Sequence, residues 1–361
     1  MPLPNRAATA LIALSPLATV IDTGSGGENI PIFSIAGGWA RNQNYTLDGG
    51  NATNVVGLAV PQQQNSLPMD AMQEFRVIGN NYAAEHGHST GGVITLSTKS
   101  GTNDYHGSLF EYVRNDAFDA RNFFSATKAR LRLHQYGGSF GGPIRKDKTH
   151  FFASWEGTRQ ITGGTTIQTV PDAAMRGGNF SNLRDSQGRH IVLYDPSNTV
   201  NSVRQPFPSN IIPADRIDPV ANAITAYWPL PNRPANTAGG NNFNANSRPL
   251  FTRNIVIGRL DHQARAGDQF MLRYYINDNQ NDNLGVYGIP ASDPAAAVTE
   301  GRSQNILGSW THVFRSNLFN DFRMGQIRRK NISRRPSLDE NPAGDLELRG
   351  VSGAAFPIVT I

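Results

Sequence analysis

The sequence contains no cysteine among its 361 residues. A disulfide framework and a thiolate metal site are therefore both excluded. Charged residues are also scarce, at 17%, and the net charge of +5 comes from scattered arginines rather than from a basic tail. Charge alone permits nucleic-acid binding but supports it weakly, so we expect no nucleic-acid partner.

Long apolar runs are absent as well. The best one, residues 7–21, is interrupted by Ser15-Pro16 and falls short of the ~20 residues that a membrane-spanning helix needs. A single Arg6 precedes this run, and no clear small-residue cleavage site follows it. The run therefore lacks the pattern of a signal peptide.

Signatures of catalysis are missing too. The sequence has no zinc-protease helix motif and no phosphate-cradling glycine loop after a buried strand. The segment Glu85-His86-Gly87-His88 offers two imidazoles and a carboxylate, but no fourth ligand stands nearby, and a metal site needs ligand number as well as ligand type. We therefore predict no enzyme activity, no catalytic residue, no metal site and no cofactor.

The chain is instead rich in residues that form turns. It has 36 glycines and 22 prolines, only 38% hydrophobic residues, and a mean hydropathy of -0.41. This composition argues against a helix-rich soluble enzyme and suits strands joined by turns and long loops.

From residue 103 onward, seven segments predict strands whose connections alternate in length. The predicted strands are 104–114, 132–141, 149–159, 251–261, 269–278, 303–314 and 318–330. The long connections are 115–131, 160–250 and 279–302, and the short ones are 142–148, 262–268 and 315–317. Outer-membrane barrels have short periplasmic turns and longer extracellular loops, so the alternation indicates an up-and-down barrel. Such barrels use even strand numbers of at least eight, so we expect this chain to hold only the first part of one.

Residues 69–115 predict a strand, a turn, one helical turn at 82–85, a glycine pair, a second strand and a long aromatic strand. This stretch resembles the junction between plug and barrel in the TonB-dependent outer-membrane receptors, and within them the Oar-like group. The matching segments are 74–77, 82–85, 91–93, 98–103, 106–111, 114–117 and 119–124. His86 and His88 depart from the expected pattern.

The resemblance implies a mainly β fold with a small α+β plug and a partial antiparallel up-and-down outer-membrane β-barrel. It assigns residues 1–102 to an N-terminally incomplete plug, and residues 103–361 to the N-terminal part of the barrel, with 160–250 as a long extracellular loop. A structural plug signature is implied at seven positions: Asp48, Gly49, Glu74, Arg76, Gly91, Gly92 and Lys99. The implied localisation is the bacterial outer membrane.

Asp48 allows two interpretations. Asp before Gly is typical of a tight turn, since the Asp side chain forms hydrogen bonds with its own backbone there. In the second interpretation, Asp48 holds the plug against the barrel wall. The sequence favours the turn.

The long loop also allows two interpretations. It is rich in proline, which favours a rigid surface segment, but loops held on rigid scaffolds often carry binding residues. In the second case Tyr227 and Trp228 are exposed and contact a ligand.

The resemblance implies ligand binding and energy-coupled transport across the outer membrane, with the TonB complex and an unknown extracellular ligand as partners. Outer-membrane lipid and lipopolysaccharide are further expected partners. The basic cluster at 328–330 and 334–335 meets lipopolysaccharide phosphates or is simply solvated. The alternatives are an adhesin that displays long loops without transport, and a soluble all-β secreted enzyme.

Overall fold

The structure is a computed structural model, and it describes most of the chain. The described residues are 8–22, 32–39, 42–53, 67–79, 81–83, 86–87, 91–121, 123, 128–236, 240–283, 285, 293, 296–336 and 341–348. Within these ranges, no helix is long and apolar enough to cross a membrane.

The described residues form sixteen strands, three short α-helices and several 3-10 turns. The strands are β1 Ala18–Asp22, β2 Ile32–Ile35, β3 Asn44–Leu47, β4 Gly50–Asn51, β5 Met72–Ile78, β6 Val93–Thr98, β7 His106–Asn115, β8 Arg130–Arg145, β9 Thr149–Gln168, β10 Tyr194–Val200, β11 Val203–Pro206, β12 Phe243–Ser247, β13 Leu250–Arg265, β14 Asp268–Asn283, β15 Ala297–Arg315 and β16 Leu318–Arg334. The α-helices are α1 Ala173–Arg176, α2 Pro219–Thr225 and α3 Pro342–Asp345. The 3-10 helices are Ala8–Leu14, Met69–Ala71, Asp116–Phe118, Pro208–Asn210 and Ala214–Arg216.

A large antiparallel sheet, which we call the wall, contains all seven strands predicted after residue 103. Its order is β16-β15-β14-β13-β9-β8-β7, and β12 pairs with residues 164–168 at the C-terminal end of β9. The short connections 146–148, 266–267 and 316–317 leave one end of the wall, and the long connections leave the other. The prediction of an up-and-down sheet is therefore confirmed. Most strands are longer than predicted, because polar segments such as 279–283 continue the hydrogen-bonded ladder beyond the apolar residues.

The two faces of the wall differ as a period of two requires. In β13, β14 and β15 many odd-numbered side chains are buried, and apolar even-numbered ones such as Val256, Leu272 and Ile306 are exposed. Ile255 and Ile257 interrupt the expected apolar-out, polar-in pattern because they pack beneath a second sheet rather than facing water.

The second, smaller sheet has the order β4-β3-β6-β5, and we call it the small sheet. Its central pair, β3 and β6, is parallel, whereas β3·β4 and β5·β6 are antiparallel. A 3-10 turn at Met69–Ala71 leads directly into β5, which begins at Met72. The helical turn expected at 82–85 lies partly outside the described residues.

One hydrophobic core joins the small sheet to the wall. From the small sheet it includes Tyr45, Leu47, Ile94 and Leu96, and from the wall it includes Phe152, Ile255, Ile257 and Tyr275. Because these buried side chains belong to one cluster, the small sheet is held to the wall by shared apolar burial.

The connection between the two sheets is fixed to the wall. A Cβ on Gly101 would overlap the carbonyl oxygen of Phe151 and lie 2.7 Å from that of Gly142. Asn103 then binds the β8–β9 turn, since its Oδ1 accepts a hydrogen bond from the Asp147 backbone N–H at 2.8 Å and its Nδ2 donates to the Asp147 carboxylate. The connection therefore passes in close contact with the short-turn end of the wall.

The long connection 169–249 contains more structure than expected. It carries α1, α2, the β10–β11 hairpin and β12, and it has an apolar cluster of its own. Val170, Trp228, Phe243 and Ala245 form this cluster together with Leu346, which follows α3. Burial of apolar side chains, rather than proline stiffness alone, therefore stabilises this segment.

Candidate functional site

The candidate site is the turn between β3 and β4, at the tip of the small sheet. Asp48 and Gly49 both have positive φ, at 53° and 77°, which is the geometry of a two-residue type I′ hairpin turn. Asp tolerates this conformation better than most residues, and Gly adopts it without strain. The turn predicted from the Asp-Gly pair is therefore present.

The Asp48 carboxylate also reaches the wall. Its Oδ2 lies 2.8 Å from Nε of Arg273 on β14, and its Oδ1 lies 3.3 Å from Nη1 of Arg259 on β13. Within the small sheet, Oδ1 accepts a hydrogen bond from the Thr98 backbone N–H at 2.8 Å, and both carboxylate oxygens lie within 3.1 Å of the Thr98 hydroxyl. The Asp48 side chain is 4% exposed, so these contacts are shielded from water.

The two arginines have further partners on the wall. Arg273 is fully buried, and its Nη2 donates to Oδ1 of Asn305 at 3.0 Å. Arg259 forms a two-point ion pair with Asp261, at 2.8 and 2.9 Å, and donates to the Thr98 carbonyl oxygen at 2.8 Å. Two arginines and two aspartates thus balance one another in charge, and such a buried group is stable only while every member keeps its partner.

The two glycines of the tip permit close contact with the next two strands. A Cβ on Gly49 would overlap the guanidinium of Arg323 on β16. A Cβ on Gly50 would lie 2.9 Å from Cδ1 of Leu307 on β15. The tip therefore contacts four consecutive wall strands, from β13 to β16.

A polar cavity of about 600 Å³ adjoins the tip, between the small sheet and β13–β16. Hydroxyl and charged side chains dominate its lining, which includes Thr46, Ser97, Ser309, Thr311, Asp321 and Arg323. It lies toward the short-turn end of the wall, because Gln269 and Asp321 belong to the strand segments nearest those turns. Its chemistry suits a hydrated, hydrogen-bonding solute.

Metal binding has no geometric support in the part of the chain that the structure describes, where no group of three or more His, Asp or Glu side chains is arranged to hold an ion. Of the motif considered in the sequence, Glu85 and His88 lie outside the described residues. His86 lines the polar cavity.

The other signature residues are not gathered at the tip. Gly91 and Gly92 are buried beside β2 and its flanking loop, where Gly92 has φ of 105° and a Cβ would lie 2.7 Å from Cγ2 of Ile35. Glu74 and Arg76 are exposed on β5, and the Lys99 backbone N–H donates to the Ala71 carbonyl. A plug-signature role for these residues stays a prediction.

Of the two interpretations of the long loop, the one that exposes Trp228 is wrong on this point, because this side chain is 9% exposed and belongs to the apolar cluster of the loop. Tyr227 is half-buried against the same cluster. Their role in ligand contact stays a prediction. Elsewhere in the loop, the hydrogen-bonded Arg216 guanidinium holds the pKa of Asp195 well below its usual range and so keeps this ion pair charged.

The residues that the sequence missed are Arg259, Arg273, Asn305, Leu307 and Arg323. Arginines in the middle of predicted strands were visible signals, because a charge on the inner face of a sheet needs a partner. The partner of each arginine was not visible, since more than 200 residues separate Asp48 from Arg259.

Comparison with known proteins supplies the family context. The family model described as outer membrane beta barrel domain matches residues 97–361. The TonB-dependent transporter Oar of Myxococcus xanthus is 33% identical over 130 residues, which is 34% of this chain and 12% of that protein. The crystal structure of the outer membrane transporter YddB from Escherichia coli covers 94% of this chain with a TM-score of 0.58 at 12% identity, and this chain covers 38% of it. The chain thus spans well under half the length of either protein.

Proposed function

The chain belongs to the outer membrane beta barrel domain family, and from that premise we propose that it works as plug and wall of a TonB-dependent receptor. It is a protein of the bacterial outer membrane, its sheet is a partial outer-membrane barrel, and its resemblance to the Oar-like receptors is confirmed. We assign residues 1–102 to the plug and residues 103–361 to the N-terminal part of the barrel, with 160–250 as a long extracellular loop. The similar proteins are transporters, which fits the prediction that this chain is not an enzyme.

The observation that carries this proposal is the buried contact between Asp48 and the two wall arginines. A plug must seal the barrel at rest and must also be able to leave its seat. Shared apolar burial holds the plug in the barrel but is non-directional. A buried ion pair, in contrast, is sensitive to small displacements, because its strength depends on close approach of the two charges. We assign to Asp48 the role of a latch between plug and wall.

Energy coupling follows from the asymmetry of this contact. When the tip moves away, Arg259 keeps Asp261 as its partner, whereas Arg273 keeps only Asn305. Moving the tip therefore leaves one buried guanidinium without a counter-charge, and this penalty must be met by an external pull. A pull exerted through TonB, captured by strand addition to a segment of the plug, supplies it.

The transported ligand, in this proposal, is a polar solute. It crosses beside the tip, through the cavity lined by Ser, Thr, Asp and Arg side chains. Display without transport is the second candidate, and the folded extracellular segment 169–249 with its own apolar cluster favours it. In that case the plug stays seated under all conditions.

A cysteine pair distinguishes these functions, and the absence of native cysteine makes the pair unique in the chain. Gly50→Cys and Leu307→Cys place two thiols across the contact between tip and wall. We expect a maleimide reagent in the periplasm to label the reduced pair several-fold faster in energised cells than in cells without TonB. Equal labelling in both cells would exclude plug movement and favour display.

The orientation of the wall is a separate prediction. We expect the long connections to face outside and the short turns to face the periplasm. Single cysteines at Ser209 and Lys146, both exposed, test it on whole cells with a membrane-impermeant thiol reagent. We expect label at Ser209 and none at Lys146, and the reverse pattern would invert the orientation.

A further inference from the structure

The inner face of the wall, which packs the small sheet, carries a set of uncharged polar side chains in its half nearest the long connections. On β14, β15 and β16 the even-numbered positions of this half point outward, and they include Asp278, Asp282, Glu300, Arg302, Lys330 and Arg334. The odd-numbered positions, with one even-numbered position of β9, point inward. We call the inward set the amide patch: Gln160, Asn279, Asn281, Thr299, Asn331 and Ser333.

The register arranges the amide patch in two adjacent rows. One row crosses five strands, from Gln160 on β9 through β13, β14 and β15 to Ser333 on β16. Neighbouring strands lie about 4.8 Å apart, so this row spans roughly 19 Å. In the second row Asn279 lies across Gly301, where a Cβ would come within 2.7 Å of the Asn279 Oδ1. The amide patch is therefore a continuous surface, long enough for an extended ligand.

The charges of the inner face lie closer to the small sheet than the outermost row does. Arg253 pairs with Glu156 at 3.2 Å, and both side chains are buried. Arg329 is half-buried, one row nearer the small sheet than Asn331. The side chains of the amide patch are themselves half-buried or exposed. A polar interior is general for outer-membrane barrels, but an interior surface of uncharged amides and hydroxyls is a property of these six residues.

The chemistry of the amide patch selects a neutral ligand rich in hydroxyl groups. An amide side chain offers two N–H donors and a carbonyl acceptor, and a hydroxyl both donates and accepts. The hydroxyls of a sugar also donate and accept, so they match such a surface at every point along the row. A charged ligand would lose hydration there without gaining a counter-charge. An extended peptide would need a free strand edge, but the backbone groups of β13, β14 and β15 are already paired on both sides.

We propose that the amide patch binds an uncharged oligosaccharide, which is the ligand class of the receptor. The ligand lies in extended form along the row from β9 to β16, and its hydroxyls form hydrogen bonds with the amide and hydroxyl side chains. The inference rests on the proposed function and on the proposed orientation, in which this half of the wall opens to the outside of the cell.

Binding of immobilised oligomers by the full chain in detergent micelles provides the test. The probes are neutral hexasaccharides of glucose, mannose, galactose and xylose, beside a galacturonate hexamer and a neutral hexapeptide of glycine and serine. We expect the unaltered chain to bind at least one neutral hexasaccharide, and to bind it more tightly than the galacturonate hexamer or the peptide. We expect the double variant Asn281→Leu/Asn331→Leu to bind that hexasaccharide about tenfold more weakly, because the hydrogen bonds of two amides are lost.

Gln280→Leu/Gln326→Leu is the matched control, since it replaces amides by leucine on the same two strands but on the outer face. We expect this control to bind like the unaltered chain. Equal loss in both double variants would overturn the proposal, as would tighter binding of the galacturonate hexamer or the peptide, or no binding of any neutral hexasaccharide. Plug labelling in energised cells is measured separately, so the two failures are distinguishable. Oligosaccharide binding without plug movement would refute transport and leave the ligand class in place.

Discussion

Replacing Asp48 with Asn is expected to weaken the seat of the small sheet on the wall by about 3 kcal/mol, the lower end of the range for breaking a buried ion pair from one side. Asn keeps the shape of the side chain and tolerates positive φ, so the turn itself is retained. Arg273 then stays fully buried without its counter-charge, whereas Arg259 still has Asp261. The loss therefore comes from the electrostatic contact rather than from the fold of the hairpin.

The measurement is the labelling rate of a single cysteine at Leu307, a position that is buried beneath the tip. Labelling requires the tip to lift, so its rate follows the free energy of that opening. A loss of about 3 kcal/mol corresponds to labelling roughly 100-fold faster, at 1.4 kcal/mol for each factor of ten. The reporter cysteine is present in every chain compared.

Two further variants test whether the faster labelling is specific to the ion pair of Asp48. Combining Asp48→Asn with Arg273→Met removes the stranded charge, so we expect the double variant to label much more slowly than Asp48→Asn alone. Asp321→Asn breaks an exposed pair with Arg323 in the same cavity, and exposed pairs contribute about 1 kcal/mol or less. If Asp321→Asn accelerated labelling as much as Asp48→Asn, the latch would be refuted.

Gly101→Val is expected to detach the connection between the two sheets from the wall. The added Cβ meets the backbone of Phe151 and Gly142, and backbone atoms inside a paired sheet cannot move aside as the end of a flexible side chain can. Overpacking of this kind costs about 3 kcal/mol or more when the clash cannot relax. We expect the chain to relieve it by lifting residues 99–105 away from the β8–β9 turn.

Trypsin cleavage after Lys99 reports this change, because a protease cuts an extended segment only once it has left the wall. We expect cleavage at least tenfold faster in Gly101→Val. Gly258→Val is the matched control, since Gly258 lies on the same wall and a Cβ there meets no atom within 4 Å. Unchanged cleavage in Gly101→Val, or an equal increase in the control, would show that the contact at Gly101 does not hold the connection.

Much of the wall was predictable from sequence because its signals are local. Apolar runs and turn residues located all seven strands, and the alternation of connection lengths gave their up-and-down order. The period of two also places Phe270, Leu272 and Tyr274 on one face of β14, and all three are exposed. These features depend on residues a few positions apart, which a single sequence displays.

The site was less predictable because it depends on contacts between distant segments. The Asp-Gly pair indicated a turn, and the turn is present, but nothing near Asp48 indicates which cation it meets. The interpretation that exposes Trp228 was wrong for a related reason. Its partners Phe243 and Leu346 lie in other segments, so a proline-rich neighbourhood appeared exposed when the indole is in fact covered.

The contact between Asp48 and the wall also constrains the order in which the molecule assembles. β3 and β6 close a segment in which Thr46 meets Thr95 across 49 positions, but Leu47 meets Arg273 across 226. Closing a longer segment costs more chain entropy, and contacts of high sequence separation form late. The small sheet can therefore pair early, but its tip stays solvated until β13 and β14 have joined the wall. In the receptor that we propose, a chain arrested before that step would carry an open passage, and seating of Asp48 would mark the point in biogenesis at which the passage closes.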